Sequence, residues 1–519
     1  MEANVDHKVD PVSRGDNGWD ANHAALNGDK NNNWPPGNTP WSWAHFERKD
    51  IPNHFAIAEG YTVGDMYQES VIASTNPNRV SWVGGTINAP GSPPSPDAGG
   101  MYIDNNETPR CEKARLNCYP LKWKTTPEYL QAAGVSWQLY QDTNNFDDNP
   151  LAWFEQFQKA ANGSELQKRG MAYTGLVQFY NDAASGNLPA VSYIVGPTEL
   201  SEHQPYTPRD GGWLQQKIVD VVTASPKYNS TALIISYDET GGWGDHVTPY
   251  HSPQGTAGEW VQDPFGFAGH TYTGPGFRLP FYIISPWTRG GNVYTEHCDH
   301  SSQILFLEKW LAAKGKPFTQ HEMNAWRRAN MADLTKAFDF EHPNYSIPKM
   351  PNASYPSTDK KGKWNGYSVC ESQHKTTRPP VPYGIQNETT ALATEQGFKA
   401  MRGDPTEGRY LVFEANGQAL TNSKGLLVGS QSKPKHDAKE QRFILHQQGE
   451  TKFTITSAAD GKAFKGLDGI YTIVDLGRGE GYTIQDTASQ KYIALDSQGK
   501  VTMSKAPTGF AAFSVTYDQ

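Results

Sequence analysis

The chain has 519 residues and a formal net charge of −9. Its length exceeds one ordinary hydrophobic core, so two domains are expected. The acidic balance excludes nucleic acid as a partner, since phosphate-backbone binding wants a basic face, and no apolar stretch approaches the ~20 residues of a membrane-spanning helix.

At the start, MEANVDHKVD has no apolar core of the kind a secretory signal peptide carries. Six N-x-S/T sequons, at Asn106, Asn162, Asn229, Asn344, Asn352 and Asn387, point instead toward export and glycosylation. From about residue 50 to 320, strand and helix patterns alternate. Strands are predicted over 80–84, 135–140, 190–195, 232–237 and 279–285. Between them, TTPEYLQAAG reads as a helix with Thr126 as N-cap, Pro127 at its first position and Gly134 as its stop. Apolar residues at helical spacing mark RGMAYTGLVQFYND and GWLQQKIVDVVTAS, and DHSSQILFLEKWLAAKG is a capped helix ending at Gly315. Such alternation predicts an α/β domain with a mostly parallel sheet covered by helices on both faces. Cys111 and Cys118 flank a short loop that suits a local disulfide, whereas their spacing matches no common zinc site.

Proline-rich, polar segments between 341 and 395 read as a linker. After about 396 the texture changes to short alternating strands (RYLVFEA, RFILHQ, KFTITSA, YTIQDT, KYIALDS, FSVTY) separated by turn residues. That pattern predicts an all-β module over 396–519, trefoil-like or a sandwich. It holds no evident catalytic cluster, so a binding or stabilising role is expected.

Chemistry concentrates where strands of the first domain end, the usual ligand edge of an open α/β sheet. The run TALIISYDETGGWGDHV puts Asp238 and Glu239 at such an edge, with Gly241 and Gly242 freeing the next turn. Adjacent carboxylates repel unless a cation or proton lies between them, so hard-oxygen metal ligation is one reading. Capping or solvating the following loop is the other. In ASTNPNR, Pro77 marks a helix start, so Thr75 and Asn76 lie at a helix N-terminus, where free N–H groups favour phosphate. A hydroxyl there is a candidate nucleophile and Arg79 a candidate phosphoryl clamp; an ordinary N-cap threonine and a surface arginine are the plainer reading. His203 follows the strand PAVSYIVGP and points to the same edge, as do His297, Asp299 and His300, although Asp299 and Ser301 also suit helix caps.

Together, HFAIAEGYTVGDMYQESVIASTNPNR, the SEH that follows a strand, and SYDETGGWGDHV resemble the phospholipase C / acid phosphatase family of phosphoesterases in the alkaline phosphatase superfamily. The resemblance covers about residues 15–320, and the β module resembles the appendage of fungal members. It implies an alkaline-phosphatase-like catalytic domain over 1–340, with Thr75 as the nucleophile that becomes transiently phosphorylated. Asp238 and Glu239, with Thr75, would hold one divalent metal ion. Asn78 and His203 would surround the phosphoryl oxygens, Asp245 and His246 would lie in the adjoining loop, and His23 would be an N-terminal active-site histidine. Members begin with an apolar strand and an E-N-R-S-F-D-H-Y-F-G-like segment whose Glu and Asn complete the metal site. That segment has no counterpart in this sequence, so an N-terminally incomplete catalytic domain is expected.

The expected activity is hydrolysis of phosphatidylcholine-like diesters, of the phospholipase C type. The alternatives are an acid phosphatase acting on monoesters and a catalytically inactive binding protein. A phospholipid or phosphate ester is the expected substrate, with at most peripheral membrane contact and an exported location; the oligomeric state stays open.

Overall fold

The computed structural model describes residues 15–106, 109–144, 146–374, 396–463 and 469–517. In chain order the strands that organise the first domain and its junction are β1 (Thr62–Gly64), β2 (Trp137–Tyr140), β3 (Val191–Ile194), β4 (Leu233–Ser236), β5 (Trp260–Gln262), β6 (His270–Tyr272), β7 (Phe281–Ile284), β8 (Asn292–Tyr294) and β9 (Phe398–Arg402).

Four of the five predicted strands form close to where the sequence places them, as β2, β3, β4 and β7. The prediction over 80–84 fails, because these residues are the second half of the helix Thr75–Gly84. Val80 and Val83, one helical turn apart, face the same core as Tyr102, Trp137 and Leu139. Gly85, at φ 71°, ends the helix in the left-handed conformation that glycine adopts without penalty.

The sheet is mixed, which corrects the expectation of a mostly parallel one. Its order here is β4-β7-β1-β8-β9. β7 runs antiparallel to both β4 and β1, whereas β1 and β8 are parallel. The physical reason lies in the connection. Residues 237–280 return the chain beside β4 without a crossover helix, and adjacent antiparallel strands require none. β2 and β3 form a separate parallel pair, joined through the helix Leu176–Ser185. Helices do cover both faces. Phe281 and Ile283 of β7 pack toward Phe306 of the helix His300–Ala313. Tyr282 and Ile284 pack toward Ile57 and Val219, from the helices Pro52–Gly60 and Pro208–Thr223. This is the period-two alternation of a strand buried on both sides.

The C-terminal region is strand-rich, as expected, and its hydrogen-bonded path is continuous with the first sheet. β9 pairs in parallel with β8 through Val293↔Met401, and Ala511–Val515 pairs with the other edge of β9. Val293 belongs to the same apolar core as Leu411, Phe443 and Ile493. An ion pair also crosses the junction, with Arg409 donating to both oxygens of Asp65 at 2.6 and 2.8 Å. Residues 341–374, read as linker, lie along the first domain and include the helix Gly366–His374. There Gln216 Nε2 donates to the Pro351 carbonyl at 2.6 Å and Trp364 packs on Trp213. The rest of that segment, 375–395, lies outside the described residues. Cys111 and Cys118 form the expected disulfide, and Cys298 and Cys370 are free thiols.

His297 lies near this junction, stacked on Tyr250 at a centroid distance of 4.1 Å, with its Nδ1 buried and without a hydrogen-bond partner. Burial, reinforced by the positive charge of Arg409, pushes its pKa down to about 4. An unfolded histidine titrates near 6.5, so below that pH the unfolded chain binds a proton that the folded chain refuses. Stability is therefore expected to fall as pH drops from about 6.5 to about 4. The loss from this residue should be about 2 kcal/mol, allowing for a ring that is only partly enclosed. Urea unfolding at both ends of that window checks it: His297→Gln should flatten the difference, and an unchanged difference would remove His297 as its source.

Candidate functional site

The site begins with a turn held almost wholly by one side chain. Asn78 is fully buried; its Oδ1 accepts from the Val71 N–H at 2.9 Å, and its Nδ2 donates to the carbonyls of Val71, Ala73 and Ser74 at 3.0–3.1 Å. That fixes the 71–74 turn, out of which the helix Thr75–Gly84 starts. Ser74 Oγ donates to Asp104 at 2.8 Å, and the Asn76 N–H donates to Asn105 at 2.9 Å. Thr75 is the first helical residue and only 5% exposed. It stands four residues before Arg79, hence on the same helix face, one turn nearer the positive end of the dipole.

Arg79 joins this helix to the end of β4. Its Nε donates to Asp238 Oδ2 at 2.8 Å, and its Nη1 donates to the Asp148 carbonyl at 2.8 Å, with the Asp148 carboxylate at 3.6 Å. The Asp238 carbonyl accepts from His300 Nε2 at 2.8 Å, and His300 Nδ1 accepts from Tyr67 at 2.7 Å. Burial favours the protonated form of Asp238, but Arg79 overrides it and holds the carboxyl below the ordinary range. Glu239 behaves oppositely. Burial, and then the neighbouring Asp238 charge, push it up to about 8, against hydrogen bonds from the Gly241 N–H and Asn17. The pair thus splits into an arginine-neutralised carboxylate and one that holds a proton near neutrality. His203 completes the group. Its Nδ1–H donates to the Gln204 carbonyl at 2.6 Å, leaving Nε2 as the free base, 3.9 Å from Glu239 and edged by Phe146.

Arg79, Asp238, Glu239 and His203 therefore share one region, with Thr75 one helical turn from Arg79, and other expected residues make their contacts elsewhere. Asp245 is committed to Arg278, which donates to its two oxygens at 2.8 Å, so it anchors the loop. His246 beside it is 80% exposed at its side chain. His23 is buried against Trp19, with ring nitrogens 2.9 and 3.3 Å from the carbonyls of Trp19 and Tyr272. It is a core histidine whose pKa burial lowers. Asn78 spends its amide on the turn, and Arg79 spends two nitrogens on acids and holds them in place.

Sequence reasoning passed over two acids. Asp148 is 3% exposed and is the second partner of Arg79, with no local pattern to announce it. Glu69 is fully buried, accepts from the Phe277 N–H at 3.2 Å and has its other oxygen unpartnered. Burial pushes it well above the ordinary range, and Glu239 and Asp238 add to that. Its signal was legible: an acid inside the apolar run MYQESVIA. Space is tight here, since a Cβ on Gly276 would lie 2.2 Å from Glu69 Oε1.

A divalent cation suits the chemistry of the donors, because Glu239 is raised by burial and then by the neighbouring Asp238 charge, and a cation would offset both. Two carboxylates and the Thr75 hydroxyl are what this region offers; among the described residues no group of three His, Cys, Asp or Glu side chains is arranged to hold a metal.

Comparison with known proteins places the chain in a family. The non-hemolytic phospholipase C of Burkholderia pseudomallei (strain K96243) is 31% identical over 75% of this chain and 56% of its own length. A non-hemolytic phospholipase C of Pseudomonas aeruginosa is 32% identical over 78% of this chain and 57% of its own. Phospholipase C A of Mycobacterium tuberculosis is 33% identical over 65% of each chain. The chain thus spans somewhat more than half the length of the first two. The pattern of the Phosphoesterase family matches residues 4–312, more than half of the chain, and the chain belongs to that family.

Proposed function

We propose that the chain is a phosphoric ester hydrolase of the phospholipase C type, splitting phosphatidylcholine-like diesters through a phosphorylated Thr75. One observation carries the reading: Thr75 opens a helix whose next turn, through Arg79, is bonded to Asp238 beside Glu239. In the first step Thr75 Oγ1 bonds to phosphorus while the bond from phosphorus to the leaving alkoxide breaks, and the proton that Thr75 loses goes to the departing oxygen, which leaves as the alcohol. The positive end of this helix's dipole stabilises the growing charge on the phosphoryl oxygens. In the second step water attacks phosphorus and the Thr75 oxygen leaves. His203, with Nδ1–H tied to a carbonyl, takes the proton of that water on Nε2 and passes it to the departing Thr75 oxygen. A divalent cation held by Asp238, Glu239 and Thr75 would supply charge neutralisation at the phosphoryl group.

Peripheral contact with a lipid surface fits this reading. Trp43 and Phe46 are 37% and 41% exposed, and their loop is joined to the 239–244 turn by a bond from the Gly244 N–H to the Ser42 carbonyl. Export fits as well, since Asn162, Asn229, Asn344 and Asn352 are exposed and a disulfide forms.

Two soluble chromogenic substrates decide the ester class. Cleavage of p-nitrophenylphosphorylcholine is expected to exceed that of p-nitrophenyl phosphate by at least about tenfold in kcat/KM; the reverse order would make the protein a monoesterase. Calorimetric titration with Mn²⁺ or Ca²⁺ tests the cation apart from turnover. The parent should bind one ion and Glu239→Gln should bind it at least about tenfold more weakly.

A further inference from the structure

Beneath His203 lies a second carboxylate centre that the mechanism above does not use. Glu202 is sequestered, its side chain only 8% exposed, and it accepts from three separate elements. His54 Nε2, on the helix Pro52–Gly60, lies 2.9 and 3.1 Å from its two oxygens. Gln215 Nε2, on the helix Pro208–Thr223, donates to Oε1 at 2.9 Å. Tyr237 donates to Oε2 at 2.7 Å and itself accepts from Gln215 at 2.8 Å. Gln215 and Tyr237 both donate to this group and His54 closes its third side, so the site is shaped around a carboxylate acceptor. Two features show that the surroundings are built around it. The Glu202 backbone sits at φ 66°, a conformation that a non-glycine residue holds only when its contacts enforce it. A Cβ on Gly211 would lie 2.0 Å from Glu202 Cγ, so the helix passes the carboxylate at a distance only glycine permits.

The chain neighbours of this cluster give it meaning. Glu202 is followed by His203, and Tyr237 is followed by Asp238 and Glu239. One carboxylate therefore pins both the loop bearing His203 and the strand end bearing the acid pair.

We propose that Glu202 is a positioning residue. Through Tyr237, Gln215 and His54 it sets His203 Nε2 against the Asp238–Glu239 edge, and it touches neither substrate nor cation. The inference rests on the hydrolase reading of that edge.

Glu202→Gln keeps size and shape but turns an N–H₂ toward groups that donate to the carboxylate in the parent. It is expected to lower kcat on p-nitrophenylphosphorylcholine about 30-fold while changing KM less than about threefold. The same substitution in a His203→Ala background should cost less than about twofold further, since a residue acting through His203 has nothing left to act on. Equal losses in both backgrounds would overturn the proposal and leave Glu202 a general structural anchor.

Gly211→Ala is the second variant, chosen in case Glu202→Gln folds poorly. Alanine is the better helix former, yet its methyl would press on the carboxylate. The expected result is a protein that folds but melts below the parent, with kcat reduced at least fivefold at a temperature where it is fully folded, and unchanged kcat would count against the proposal. A third readout needs no turnover: ring-¹⁵N-labelled histidine spectra should show His203 as the Nδ1–H tautomer in the parent and as a tautomer mixture in Glu202→Gln. An inactive parent that still shows this spectral change would sink the hydrolase reading and leave the positioning role standing. An active parent whose His203 signals ignore the substitution would do the opposite.

Discussion

Thr75→Ala is expected to lower turnover of a phosphodiester by at least about a thousandfold, with thermal stability kept within about 1 kcal/mol of the parent. Two parts of the structure lead there. The hydroxyl sits at the first position of a helix, where the positive end of the dipole favours a phosphorylated oxygen. The helix itself does not rely on that hydroxyl. Its N-cap is Ser74, and the preceding turn is held by Asn78 through four hydrogen bonds, so alanine at 75 removes chemistry and spares architecture. Thr75→Ser should retain turnover within about tenfold, because it keeps an oxygen at the same place. Rapid quenching followed by peptide mass analysis should find the phosphoryl adduct on residue 75 in the parent and in the serine variant, and on no residue in Thr75→Ala. If the alanine variant turns over within tenfold of the parent, another group attacks phosphorus.

How far the sequence foretold this arrangement depends on the range of the interactions involved. Strands β2, β3, β4 and β7 announced themselves because each is a short apolar run bounded by turn residues. The helices around 126 and 300 announced themselves through caps and that around 208 through its apolar spacing, although the N-cap of the first is Thr125 with Glu128 in a capping box, one residue before the expected Thr126. The helix Thr75–Gly84 was half recognised: its start was read from Pro77, but VSWVG taken alone looks like a strand. Direction was not legible. Whether β7 runs with or against β4 is set by the path of 237–280, which no local pattern encodes.

The site divides in the same way. Asp238, Glu239, Thr75 and His203 could be singled out because each breaks an apolar or glycine pattern at an element's end. Arg79 was seen but its task was not, since its partners lie 159 residues away at Asp238 and 69 residues away at Asp148. Asp245 and His23 looked equally chemical in sequence. Their true partners, Arg278 and the Trp19 and Tyr272 carbonyls, are tertiary facts that make one an anchor and the other a core residue.

Arg327→Met is expected to destabilise the fold by about 4 kcal/mol, the largest single loss of stability foreseen for this chain. Arg327 is 6% exposed and lies between Glu259 and Asp299, both fully buried. It donates to Glu259 at 2.9 Å, to Asp299 at 2.5 Å and to the Ser70 carbonyl at 2.9 Å. Methionine fills much the same volume but strands two acids away from water, and Glu259 is already raised by burial despite its arginine. Without that cation the Glu259 carboxyl, already raised by burial, must bind its proton more tightly when folded than when unfolded. The variant should therefore regain stability as pH falls toward the unfolded carboxylate range near 4 and lose it as pH rises above that range. Adding Glu259→Gln and Asp299→Asn to Arg327→Met should restore a large part of the loss at neutral pH. Asparagine still caps the helix His300–Ala313, and no buried charge remains. Function should not recover with stability. Ser70 leads into the turn that presents Thr75, and Asp299 precedes the His300 that bonds to the Asp238 carbonyl. Urea unfolding of the single and triple variants at pH 5 and 8 separates these outcomes. A single variant less than 1 kcal/mol below the parent at both values would show that the two acids reach water or another cation, and the ion triad would lose its place as the support of the site.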